Sequence, residues 1–213
     1  MKREITRRTF VNTFVKGGAI YGAGLVISMQ IPRPNTARAA MESAEPITFS
    51  KLEWSTLEAI TGRIIPKDEE PGAIDANCVN FIDKALAHED AAAKPLYIAG
   101  LATVDGIARS RFEKSFAEIG ADQQDALLRD LEKGSATEWQ IPGLPSQLFF
   151  ETARVHTLIG FLADPKYGGN RDYAGWRVSG YPGPRHRMGG YSPAQMAGEA
   201  PIVPVWDRES PKS

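Results

Sequence analysis

The chain has 213 residues, 42% of them hydrophobic, which suits one ordinary domain with extensions and falls short of two. Its formal net charge of −1 conceals an asymmetry: residues 1–39 hold seven of the 25 Lys and Arg but one of the 26 Asp and Glu, so the remainder carries 18 basic against 25 acidic groups, or −7. That acidic body excludes nucleic acid as a partner, since neutralising phosphate needs clustered Lys and Arg, and the single cysteine, Cys78, excludes both an internal disulfide and a Cys-x-x-Cys-His haem attachment.

The opening Thr6-Arg7-Arg8-Thr9-Phe10-Val11, then Lys16 and an uncharged run from Gly17 to Ile31, reads as a twin-arginine export signal. The run spans 15 residues, short of the ~20 that cross a bilayer as a helix. Ala37-Arg38-Ala39 supplies a small-x-small pattern, which predicts cleavage before Ala40 and release into the periplasm. The alternative is an uncleaved signal that tethers the protein to the outer face of the inner membrane. Residues 40–49 read as a linker.

Ser50-x-x-Glu53 forms a capping box, and Leu52, Leu57, Ile60 and Ile64 follow at near-helical spacing until Pro66, predicting a helix over about 51–65. The acidic Asp68-Glu69-Glu70 lacks calcium-loop spacing and is a solvated loop. Val79, Ile82 and Leu86 mark a second helix over about 75–88, with Cys78 expected as a small buried hydrophobe. Leu96, Leu101, Val104, Ile107 and Ala108 mark a third over about 94–114. Gln124 to Leu131 reads as a fourth, closed by a left-handed cap at Gly134. Ser146 is placed as the cap of a fifth, whose apolar face includes Leu148, Phe149, Thr152, Val155, His156, Ile159 and Leu162, ending at Asp164-Pro165. With no sustained period-two alternation, the domain at 50–164 is all-α, a compact bundle of about five helices.

From Pro165 the composition changes. Residues 165–213 contain eight Gly, seven Pro and six aromatics, and carry seven basic against four acidic groups, where residues 40–164 carry 11 against 21. An irregular Gly/Pro/aromatic-rich arm therefore follows the bundle. Large rings in irregular backbone need a surface, which predicts that Tyr167, Trp176 and Tyr181 are buried against a partner, with Gly168, Gly169, Asn170, Arg171 and Pro182 in the same interface.

Candidate chemistry is sparse. His88, His156 and His186 are far apart and lack metal-ligand neighbours at helical spacing. His156 sits on the apolar face of the fifth helix without an acid or nucleophile beside it in sequence, so it reads as a buried core imidazole. Gly168-Gly169-Asn170-Arg171-Asp172 follows a helix instead of a strand and lacks phosphate-loop spacing, so it reads as a tight turn.

Phe149 to Asp172, with its Asp164-Pro165-Lys166-Tyr167-Gly168-Gly169-Asn170 block, then Gly175-Trp176 and Gly180-Tyr181-Pro182-Gly183-Pro184, resembles the gluconate 2-dehydrogenase subunit 3 family. Ile64-Ile65-Pro66, Pro71-Gly72-Ala73 and Phe81-Ile82-Asp83 fit the same pattern. The resemblance implies a small subunit without catalytic residues or a cofactor of its own. It further implies a large partner of the glucose-methanol-choline oxidoreductase type that holds FAD, often with a c-type cytochrome carrying haem c as electron acceptor. On this reading one export signal serves a co-folded flavoprotein that oxidises a sugar or sugar acid. The competing expectations are an escort that delivers the flavoprotein and leaves, and a free-standing enzyme using His156 with Asp164 or Asp172.

Overall fold

The computed structural model describes residues 46–184 and 190–204. Arg7, Arg8 and Phe10 of the export signal, Ala37, Ala39 and Ala40 at its cleavage site, and His186 and Trp206 lie outside the described residues. Five helices form the body: α1 (Lys51–Ile64), α2 (Cys78–Ala87), α3 (Lys94–Phe112), α4 (Ala121–Lys133) and α5 (Ser146–Leu162). Two short ones, α6 (Ala174–Ser179) and α7 (Pro193–Met196), follow within the arm, and no strand occurs among the described residues. The all-α architecture is the one the periodicity predicts.

Helix α1 starts where its capping box lies: the Glu53 amide donates to Ser50 Oγ, and the Ser50 amide donates to Glu53 Oε2 at 2.7 Å. Leu57 and Ile60 from α1, Ile82 and Leu86 from α2, Tyr97 and Leu101 from α3, Leu127 and Leu131 from α4, and Phe149 from α5 make the main core. Leu52 and Leu148, which sequence periodicity put on apolar faces, are 49% and 43% exposed, because each sits in the first turn of its helix, beyond the core's edge.

Boundaries differ from the sequence expectation at α2, which starts at Cys78 and not at 75, and in three further places. Helix α4 begins at Ala121, one turn earlier than Gln124, because the Gly120 amide donates to Gln123 Oε1 and so starts the helix ahead of its apolar stripe. Gly134 does close it in the left-handed conformation, φ 70°. Helix α3 stops at Phe112, where Glu113 turns left-handed at φ 60°. Ser146 is not a cap: Pro145 holds that position, and the Ser146 hydroxyl donates to the Leu131 carbonyl at 2.9 Å. The hydroxyl thus adds a second donor to a carbonyl that also accepts the Gly134 amide, tying the end of α4 to the start of α5.

The linker is also fastened. The buried Asp83 carboxylate of α2 accepts the amides of Ile47 (2.7 Å), Thr48 (2.9 Å) and Phe49 (3.1 Å). A carboxylate receiving several backbone N–H groups is a strong, charge-assisted arrangement. It sets where the chain enters the domain, and Phe49 enters the core with it.

Candidate functional site

The residues expected at a partner interface form a clasp across the ends of α2 and α5. Asp164 accepts the Lys166 amide and starts a turn at Pro165–Tyr167, after which Gly168 reverses the chain at φ 97°. Asn80 of α2 donates its side-chain amide to the Gly168 carbonyl at 2.7 Å, and the Arg171 amide donates to the Ala76 carbonyl at 3.1 Å. Asn170, fully buried, holds the centre: its Nδ2 donates to the Ala163 carbonyl and its Oδ1 accepts the Gly175 amide, both at 2.8 Å. Trp176 Nε1 donates to the Leu162 carbonyl at 2.6 Å. The clasp thereby satisfies the last carbonyls of α5, which a helix end leaves unpaired.

Small residues allow this approach. A Cβ at Gly169 would run into the Gly160 carbonyl oxygen, and one at Gly175 into that of Phe161. Asn170, Asp172 and Tyr173 all have left-handed backbone, φ 45°, 54° and 58°. Asn adopts this conformation readily, but a tyrosine there is strained and persists only because its surroundings hold it. Ala174 and Val178 complete a second core with Ile65, Ala73, Ala76, Cys78, Leu158 and Phe161. Cys78 is thus the small buried hydrophobe expected, its thiol pKa pushed up by burial.

The argument that an irregular segment cannot bury large rings by itself fails at Trp176: it and Gly168, Gly169 and Asn170 are buried by the chain's own α2, α5 and α6. Tyr167 is half-buried against the main core under the Lys166 ammonium, 4.8 Å from its ring centre. Pro182 is half-buried, while Arg171 and Tyr181 face solvent. The composition of residues 165–184 resembled an unstructured arm because Gly and Pro serve tight turns as well as disorder.

His156 has partners that its sequence neighbourhood did not reveal. Tyr97 of α3, fully buried, lies with its hydroxyl 3.0 Å from His156 Nδ1, and Asp90 Oδ2 lies 3.4 Å from Nε2. The Asp90 carboxylate beside Nε2 favours the imidazole proton there, which leaves Nδ1 to accept from the Tyr97 hydroxyl, whose pKa burial pushes well up. Burial pushes the His156 pKa below its ordinary value, opposed by the Asp90 charge. The acid beside His156 is thus Asp90, not Asp164 or Asp172. Tyr97 and His156 also stack, centres 5.7 Å apart, and Phe49 and Phe149 pack on the Tyr97 ring. Both ring nitrogens of His156 thus have partners, and the Tyr97 phenol is fully buried. The trio latches the 88–93 segment to α5.

Among the described residues no cluster of His, Cys, Asp or Glu could hold a metal ion, and no helix is long and apolar enough to cross a membrane. A cavity of about 420 Å3 lies under the 134–147 loop, lined by Trp139, Leu144 and Gln147 but by no charged side chain.

A sequence model of the family described as gluconate 2-dehydrogenase subunit 3 matches residues 51–183, from the first residue of α1 through the clasp. No curated protein and no solved structure matches the chain.

Proposed function

The chain belongs to the gluconate 2-dehydrogenase subunit 3 family, one subunit of a multi-subunit dehydrogenase, and from that premise we propose that it is the non-catalytic small subunit of a periplasmic flavin-dependent sugar or sugar-acid dehydrogenase. It supports the export, assembly and stability of an FAD-containing large subunit of the glucose-methanol-choline type. A c-type cytochrome would take the electrons onward. The observation that carries this reading is the family match; the burial of His156 between Tyr97 and Asp90 supports a structural task for it. The twin-arginine motif at Arg7 and Arg8 supports export of a partner already folded around its cofactor.

The partner-facing residues in this proposal are those the clasp leaves outward: Arg171, Tyr181 and the open edges of Tyr167 and Pro182. Trp176 braces Tyr181 edge-on, ring centres 5.1 Å apart, so the exposed ring is held in place before any partner arrives. A preorganised aromatic anchor loses little entropy on binding. Tyr181→Ala is expected to weaken assembly by ~2 kcal/mol or more while leaving the unfolding midpoint of the free chain nearly unchanged. Surface plasmon resonance and urea titration on the same variant check both halves.

The test of the function itself is fractionation after co-expression with the flavoprotein. The intact pair should reach the periplasm and co-purify with stoichiometric flavin. Replacing Arg7 and Arg8 by Lys should hold both chains in the cytoplasm. A flavoprotein that still crosses without this chain's signal, or that never co-purifies with it, overturns the proposal.

A further inference from the structure

Beyond residue 183, where the family pattern ends, the chain lies back over the partner-facing end of the clasp. Residues 190–204 cross the strip formed by Tyr181, Pro182 and Gly183. The Tyr191 hydroxyl donates to the Gly183 carbonyl at 3.0 Å. Gly183 has left-handed backbone, φ 89°, and a side chain there would press on the Ile202 Cγ2 methyl, so the segment rests directly on this glycine. Gly183 is buried under it, although Pro182 and Pro184 on either side are only half-buried and Tyr181 is exposed. Tyr191 also stands beside Tyr181: burial, and then the neighbouring Tyr191 hydroxyl, push the Tyr181 pKa up to about 12.

The segment is held down lightly. Of its described side chains only that of Pro204 is buried, while Tyr191, Gln195, Ala200 and Ile202 are half-buried. Helix α7 within it buries none of its 4 residues and leaves Met196 68% exposed. A segment with so few buried apolar contacts opens at a small fraction of the global unfolding free energy. Pro193, Pro201 and Pro204 restrict its backbone even when it is lifted, which lowers the entropy lost when it lies down again. The strip beneath it is the one that the assembly reading gives to the partner, and Tyr191 and Ile202 fill the space over its last residue. We propose that residues 190–204 are a displaceable strap, which occupies the docking strip at Tyr181–Gly183 in the free chain and gives it up to the flavoprotein. This rests on the assembly reading. The open part of the Tyr181 ring, 39% exposed, makes the first contact, and the strap shields the rest of the strip from other surfaces until then.

The test compares the full chain free and bound to its flavoprotein by methyl NMR, with association followed by surface plasmon resonance. In the free chain the Ile202 methyl should show a nuclear Overhauser contact to the Gly183 α-protons. In the complex that contact should vanish and the methyl line should stay narrow, as for a mobile segment. A closed strap lowers the apparent affinity by the fraction of chains that are open, so a Tyr191→Phe/Ile202→Ala chain should associate about fivefold faster or more, with its dissociation rate and unfolding midpoint unchanged. Tyr191→Phe alone should give part of that gain. The strap is overturned by a double variant that associates no faster than the parent, or by an Ile202 line broadened to that of the assembled particle, which would make the segment part of the interface. A parent chain that binds no flavoprotein overturns the assembly reading and the strap with it, whereas one that binds with the Ile202–Gly183 contact intact overturns the strap alone.

Discussion

Trp176→Ala is expected to destabilise the free chain by about 3–5 kcal/mol, the range for removing a large buried ring. Trp176 is 5% exposed and holds the Leu162 carbonyl through its indole N–H, while Tyr173 stacks on one side at 5.5 Å and Tyr181 meets it edge-on. Its removal empties the middle of an aromatic row and unpairs a carbonyl at the end of α5. Because Tyr173 is already strained at φ 58°, the loss should spread and open the whole clasp. Trp176→Phe separates the two contributions: most of the ring remains, the indole hydrogen bond does not, and the cost should fall to about 1–3 kcal/mol. Urea unfolding followed by circular dichroism measures both. A Trp176→Ala chain with an unchanged midpoint but weakened flavoprotein binding would return the ring to the interface.

His156→Ala should cost about 2–4 kcal/mol, combining a core truncation with the orphaned Tyr97 hydroxyl. Turnover of any assembled complex should fall only as far as assembly does. The pH dependence separates this residue from the rest of the molecule. Burial lowers the folded-state pKa of His156, so near ~6.5, the ordinary histidine value, the unfolded chain takes up a proton that the folded chain refuses. Stability is therefore complete above that pH and declines as pH falls toward the folded value. The carboxylates paired with arginine act lower. Hydrogen bonds from Arg111 hold Glu138 down at about 2 and Asp130 below its usual range, and Arg63 does the same for Asp125. Their contribution is present above ~4 to 4.5, the unfolded carboxylate values, and is lost only as pH falls through the folded ones. Unfolding midpoints measured from pH 8 to 3 should show two separate declines, and His156→Phe should abolish the upper one. A complex that stays assembled with His156→Ala yet loses turnover would place the imidazole in the chemistry instead.

What could be read from the sequence was whatever depends on near neighbours in the chain. The Ser50 and Glu53 capping box, the left-handed stop at Gly134 and the periodic apolar faces of α1, α2 and α3 are local relationships, set by which side chains lie three or four residues apart. The family pattern at Asp164 to Asn170 was legible for the same reason, since its turn is built from consecutive residues. Packing of one helix against another decided the rest. Asp90 and Tyr97 reach His156 only because α3 and the 88–93 segment cross α5, and Asp83 finds the amides of residues 47–49 only because α2 passes beneath the linker. Composition misread the clasp because glycine has two physical uses. In a free segment it raises the entropy to be lost on folding, but at Gly169 and Gly175 the missing side chain is what lets backbone touch backbone. Which use applies depends on what lies opposite, and the residues opposite are the carbonyls of Gly160 and Phe161 in the last turn of another helix.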